Sequence, residues 1–376
     1  MEYNVISADS HIDMTWMPGN LFIDNAPPEL ADIAPRVLET DAGPKWFAEG
    51  VELGVAGGLG FSFMPPKRGV AKQLDRMWDA GFYEGGPHPT TPELRLKDMM
   101  LDGIDAEVIY GILTVGLIFK NHKLTQFIFE TYNDWAAGFK NSNPGRWAPL
   151  ACVPNHDPEA AAIELRRAAS LGLKGADFAV AAAGKPIWDP DWDLFWSAAA
   201  ECEMPISFHS TGWPGYSVSP ENVPDEHMTQ YLATMTALFQ VAGADFLANV
   251  IHAGICDRFP DFKFVLGECG VGWVPFILGR MDAEWEDQYS RLGYSLTPSE
   301  FWRRQGYTTF QHEQDISTIL HLVGEENVLW GSDYPHGDGV WPDSKKTLDE
   351  DLAGVSMEVR RKLTRDNAGK LYGFLD

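Results

Sequence analysis

A chain of 376 residues exceeds an ordinary domain but suits a single α/β barrel that carries insertions. With 45% apolar and 22% charged residues it can bury a core, which excludes global disorder. The formal charge of −25 excludes a general binder of nucleic acid or anionic membrane, since both need a basic patch, and leaves a small molecule as the expected partner.

The N-terminal Met-Glu-Tyr-Asn has no basic start and no apolar run behind it, and Ile6 onward reads as a strand, so no signal peptide is expected. Cys152, Cys202, Cys256 and Cys269 show no CxxC spacing, so reduced thiols in a cytoplasmic protein are the expectation. The uncharged residues 53–66 are too few and too rich in Gly and Pro to cross a bilayer, and no membrane span is expected.

Short apolar, β-rich runs at 5–11, 106–111, 147–153, 173–180, 204–210, 249–253, 262–268 and 327–332 predict eight strands. Segments of helical periodicity lie between most of them, at Leu124 to Phe139, Pro158 to Leu171 and Asp191 to Glu203. Runs apolar on both faces suit a parallel sheet, which closes as a barrel or stays open and doubly wound. A closed (β/α)₈ barrel is favoured, because polar residues fall at the C-terminal ends of the first, fifth, sixth, seventh and eighth predicted strands, which meet at one mouth only if the sheet closes.

Residues 18–95, rich in Gly and Pro, are far longer than a usual βα loop and predict an inserted subdomain or lid over the pocket. Its Trp46, Phe47, Phe61, Phe63, Trp78, Phe82 and Tyr83 suggest a planar or hydrophobic substrate. The tail from Leu348 to Leu371 reads as closing helices.

In VISADSHID the strand period of two puts Asp9 and His11 on one face, toward the barrel interior, and Ser10 on the other. The fifth strand delivers His209, and the eighth brings Asp333 out into a turn made by Pro335 and Gly337. Buried carboxylates need partners, and two carboxylates with two imidazoles form a borderline donor set for Zn²⁺ or Mn²⁺ rather than Ca²⁺ or Mg²⁺. Four protein donors leave room for a water or substrate oxygen, the mark of a catalytic site. Asp333 and His252, the latter at the end of the predicted sixth strand, are the expected proton-transfer groups, with His252 alternatively a positioner of a ligand, and Glu268, at the end of the seventh, is a further catalytic candidate. Trp213 is a candidate wall of the pocket, and Arg68 and Arg280 are candidate carboxylate clamps. His336 and Asp338 lie beyond the strand and are expected to be structural, as are His88, His122, His156, His227 and His321.

The runs ISADSHID, LKDMMLDGIDAEVIYG, DPEAAAIELRRAASLGLKG, PISFHS, IHAGICDRFPDFKFVLGECGVGWVPF, LWGSDYPH and DNAGKLYGF together resemble the amidohydrolase superfamily. The branch is that of aminocarboxymuconate-semialdehyde decarboxylase and the γ-resorcylate-type decarboxylases. The resemblance implies a distorted barrel, usually a homodimer, one metal ion on Asp9, His11, His209 and Asp333, and His252 as catalytic histidine. Asp9 stands where many members have His, similar to the acidic variant of the resorcylate-type enzymes, which favours Mn²⁺ over Zn²⁺. It also implies a non-oxidative decarboxylase of an aromatic or unsaturated acid, with a hydrolase of an amide, ester or lactone as the alternative, and a metal-binding barrel without catalysis as the third.

Overall fold

The computed structural model describes residues 2–59, 63–210 and 222–375. Eight parallel strands follow one another round a barrel: β1 (Ile6–His11), β2 (Ala106–Tyr110), β3 (Trp147–Pro149, resumed at Ala151–Cys152), β4 (Ala176–Asp177), β5 (Ile206–His209), β6 (Phe264–Gly267), β7 (Gly306–Phe310) and β8 (Val328–Trp330). β3 is interrupted at Leu150, whose N–H still donates to Ile109 O at 2.8 Å. A parallel bridge between Ser10 and Tyr334 returns the eighth strand's end to the first and closes the ring. This is the expected (β/α)₈ barrel, distorted where β1 shifts register between Ser7 and Ser10.

Helices, some of which begin at side-chain caps, pack outside the strands. They are α1 (Pro92–Asp102), α2 (Val115–Ile118), α3 (His122–Ser142), α4 (Pro158–Ser170), α5 (Asp193–Glu201), α6 (Met228–Leu238), α7 (Gly243–His252), α8 (Val274–Glu284), α9 (Pro298–Gln305), α10 (Ile316–Val323) and α11 (Ser344–Asp351). Asp157 accepts from the Glu159 and Ala160 N–H groups at the start of α4, and Thr297 with Glu300 forms a capping box on α9. Short helices at Met357–Arg361 and Asn367–Leu371 close the chain as expected. Asn367 Nδ2 ties them to the barrel through Glu325 O at 2.7 Å and Val328 O at 2.8 Å.

One predicted strand is a helix. Residues 249–253 are the end of α7, where Leu247, Val250 and Ile251 are buried at helical spacing. The strand that takes its place in the ring is β7, GYTTF, whose two threonines disguised a buried run. Thr308 and Thr309 are fully buried because their hydroxyls are bonded, to Gly270 O at 2.7 Å and to Asp9 Oδ2 at 2.9 Å.

The insertion has more order than its turn-rich sequence suggests. Arg36–Thr40, Gly43–Ala48 and Val51–Val55 form an antiparallel three-stranded meander, followed by a helix at Lys72–Asp79. Trp46 is its buried anchor, with Nε1 donating to Thr15 O at 3.1 Å. Trp16, Leu74, Met77, Phe82, Tyr334 and Trp341 make a separate apolar cluster that joins the insertion to the turn after β8. Arg95 on α1, also buried, donates to Glu107 at 2.7 Å, His11 O at 2.9 Å and Ser10 Oγ at 2.9 Å, so Ser10 does face away from the barrel axis. Among the described residues one helical run, 225–252, is long and apolar enough to cross a bilayer by composition, and 28% of its most apolar stretch is buried.

Candidate metal centre and active site

The C-terminal ends of β1, β5, β6 and β8 bring Asp9, His11, His209, Glu268 and Asp333 to one point. His11 Nε2 lies 3.3 Å from Asp9 Oδ1 and 3.0 Å from Asp333 Oδ1. His209 Nε2 lies 3.6 Å from Asp9 Oδ1 and 3.8 Å from Glu268 Oε2. All five side chains have at least nine-tenths of their surface buried. Close approach is built into the backbone: a Cβ on Gly331 would sit 2.2 Å from that of Asp9, and one on Gly267 would sit 2.6 Å from the Tyr110 hydroxyl and 2.9 Å from His209. Glu268 and Asp333 take φ of 51° and 55°, a left-handed conformation that non-glycine residues adopt at a cost. Each turns the chain sharply at the strand end and aims a carboxylate back across the mouth.

A metal ion fits this arrangement. Asp9 Oδ1, His11 Nε2, His209 Nε2 and both oxygens of Asp333 are buried and have no hydrogen-bond partner. That is costly unless something else binds them. Separations of 3.0–3.6 Å between these donors are the edges expected around an ion with ligand bonds of about 2.0–2.2 Å. His209 Nδ1 is 2.8 Å from Ser210 O, which assigns the proton there and leaves the Nε2 lone pair facing the site. Asp9 Oδ2 is separately held, accepting from Thr309 Oγ1 at 2.9 Å and from the Glu268 N–H at 2.9 Å, so only Oδ1 is free to bind an ion.

The charges respond to one another in this metal-free form. Burial opposes the Asp9 charge, but the neighbouring His11 and His209 imidazoles overcome it and hold the carboxyl below its ordinary value. Burial likewise opposes the His209 cation, yet Asp9, Glu268 and Asp177 push its pKa up to about 10. Glu268 is raised well above a normal carboxylate by burial and then by repulsion from Asp333 and Asp338. Asp333 goes the other way, because His336 and His11 outweigh its desolvation.

The sequence reading missed several members of the site. The turn after β8 folds back, with the His336 N–H donating to Asp333 O at 2.8 Å and the Val340 N–H to Ser332 O at 3.0 Å. It stacks His336 on His11 with ring centres 3.9 Å apart. His336 Nδ1 lies 2.9 Å from Asp333 Oδ1, and Nε2 lies 3.1 Å from Asp13 Oδ2. His336 and Asp338, expected to be structural, both line the cavity. Asp177, at the end of β4, lines it too, with a pKa raised by burial to about 7. Its strand-terminal position was a signal of the same kind that singled out His209.

His252 is the opposite case. Being the last residue of α7 rather than the end of a strand, it is exposed and absent from the cavity lining, and its carbonyl accepts from the Tyr294 hydroxyl at 2.8 Å. Glu268, also expected at the mouth, does line the cavity, just past the end of β6, which is the seventh predicted run. Trp213 lies outside the described residues. Arg68 and Arg280 are exposed and paired with Asp79 and Glu284, away from the cavity. The described lining contains no residue of 18–95; its outer wall comes from α2 and α6. The four cysteines are all unpaired.

Residues 66–374 match the model of the amidohydrolase family. The chain belongs to the amidohydrolase family. This amidohydrolase is 29% identical over 206 residues to the decarboxylase orsB of Emericella nidulans, covering 52% of this chain and 60% of that protein. It is 25% identical over 264 residues to a γ-resorcylate decarboxylase of Rhodococcus jostii, covering 64% and 74%. An amidohydrolase of Mycobacterium avium subsp. paratuberculosis superimposes over 99% of this chain and all of its own, with a TM-score of 0.74 at 20% identity. A 5-carboxyvanillate decarboxylase of Novosphingobium aromaticivorans, complexed with manganese and 4-hydroxy-3-methoxy-5-nitrobenzoic acid, covers 81% and 88% with a TM-score of 0.62 at 22% identity. The barrel is shared with both structures.

Proposed function

We propose that this amidohydrolase is a metal-dependent, non-oxidative decarboxylase of an aromatic or unsaturated carboxylic acid. The observation that carries the reading is the set of unpartnered donors on Asp9, His11, His209 and Asp333, which would hold one divalent ion at the barrel mouth. Two carboxylates beside two imidazoles, and the manganese of the carboxyvanillate enzyme, favour Mn²⁺ over Zn²⁺. When bound, the ion supplies Lewis acidity toward a substrate carboxylate and a neighbouring oxygen. Both curated relatives described above are decarboxylases, which favours carbon dioxide release over hydrolysis.

The chain's own groups then orient the acid and move one proton. His336, fixed between Asp13 and Asp333, keeps the Asp333 carboxylate in place. Glu268, whose carboxyl is raised well above a normal carboxylate in the metal-free form by burial and by repulsion from Asp333 and Asp338, is the proposed donor to the carbon that loses the carboxylate. Gln311 Nε2 donates to Glu268 Oε1 at 3.1 Å and sets the direction of that carboxyl. We include a cytoplasmic location in this reading, in keeping with four free thiols, and the homodimer that the family resemblance implies.

The test is Mn²⁺- and Zn²⁺-loaded protein incubated with a panel of hydroxybenzoates, amides, esters and lactones. Carbon dioxide released from a hydroxybenzoate, lost in Glu268→Gln, supports the reading. Acid released from an amide, ester or lactone without carbon dioxide from any acid overturns it in favour of a hydrolase.

A further inference from the structure

We infer that the site takes an aromatic acid with a single carboxylate and an uncharged apolar substituent at the far end, and rejects diacids; the inference rests on the decarboxylase reading for which end of the substrate meets the metal ligands. The cavity of about 460 Å³ lies within the range of clefts that enclose a ligand of several rings or a ring with a tail. Its inner end is the polar cluster around Asp9, His11, His209 and Asp333. Its outer wall is aliphatic and aromatic: Leu113, Leu117 and Ile118 after β2, facing Leu232, Met235 and Phe239 of α6 and the turn that follows.

No lysine or arginine is among the described residues that line the cavity. The undescribed stretches 60–62 and 211–221 contain neither residue type in their sequence, so they add no cation. Against this, Asp13, Asp177, Glu268 and Asp338 all line it. A first carboxylate can be neutralised at the metal-ligand cluster. A second one, directed to the outer wall, would meet Leu117, Ile118 and Met235 with no cationic partner among the described lining residues. An alkyl group in the same place gains by burial, about fourfold in affinity per methylene.

The experiment compares two acids that share the salicylate end and differ only at the far position: 5-propyl-2-hydroxybenzoate and 5-carboxy-2-hydroxybenzoate. Dissociation constants are measured by calorimetry on the Mn²⁺-loaded protein, and carbon dioxide release is followed separately. The propyl acid is expected to bind at least about 30-fold more tightly, from three methylene-sized groups and the unpaired charge it avoids. Leu117→Arg, at a position 45% exposed and so tolerant of change, is expected to improve the diacid at least about tenfold and to weaken the propyl acid. Equal or tighter binding of the diacid by the wild type, as a cation from a second subunit would produce, overturns the inference. So does a Leu117→Arg variant that leaves the diacid unchanged. Preference for the propyl acid without carbon dioxide from either compound would instead sink the decarboxylase reading and leave the selectivity standing.

Discussion

Replacing Thr309 by Val removes one hydroxyl of β7 and keeps the side-chain shape. That hydroxyl donates to Asp9 Oδ2 at 2.9 Å and accepts the Glu268 N–H at 2.6 Å. Asp9 keeps its contact with the Glu268 N–H at 2.9 Å, so its carboxylate loses one of two bonds on that oxygen rather than both. Leaving a buried group one bond short costs about 1–3 kcal/mol, which is the expected loss in unfolding free energy. Loss of a group that orients a ligand lowers metal affinity about 10–100-fold. Metal affinity is read by chelator competition and stability by urea unfolding of the metal-free protein. Thr308→Val is the control: its hydroxyl bonds Gly270 O at 2.7 Å and touches no metal-site residue, so it should lose stability and keep its affinity. Equal metal affinity in Thr309→Val and wild type would refute the idea that β7 orients Asp9.

The other predictions are simpler. Asp333→Asn should abolish turnover while circular dichroism and melting stay those of a folded barrel, and substantial activity would remove Asp333 from the mechanism. His252→Ala should leave kcat/KM within about twofold, because the residue is an exposed helix end; a loss above tenfold would restore it to the site. Protonated His209, with a pKa of about 10 in the metal-free form, competes with the ion, so metal affinity should rise about tenfold per pH unit between 6 and 9 with one proton released. Calorimetry in buffers of different ionisation heat checks this, and a flat profile contradicts it. Asp102 is buried with its pKa raised to about 7, so it stabilises the fold below pH 4 and that stability is lost as pH rises through 7, at about 1.4 kcal/mol per unit. Asp102→Asn should flatten the pH dependence of unfolding between 4 and 7, and an unchanged slope would count against it.

Much of this was legible along the chain because it is local. A period of two placed Asp9 and His11 on one face and Ser10 on the other. Apolar runs ending in a polar residue found β5 with His209, β6 with Glu268 and β8 with Asp333. The errors share a cause. The run NVIHA is apolar and β-branched in one dimension, and only packing of Leu247, Val250 and Ile251 against the barrel makes it a helix and turns His252 outward. GYTTF looked too polar for a barrel strand because its threonine partners, Gly270 O and Asp9, come from elsewhere in the chain.

The amino-acid sequence by itself determined the closed α/β barrel, the family and the residues at four of its strand ends, since alternation, turn chemistry and strand-end polarity act over a few neighbours. Tertiary structure alone decided which groups share the pocket. It brought His336 onto His11 by a turn that folds back and set Asp13 against His336. It turned His252 outward at the end of α7 and, among the described residues, lined the outer wall with α2 and α6 and with none of 18–95. The reason is that closure of the ring joins atoms hundreds of residues apart, such as Asp9 with Thr309 and Ser10 with Tyr334, and no local pattern records those meetings.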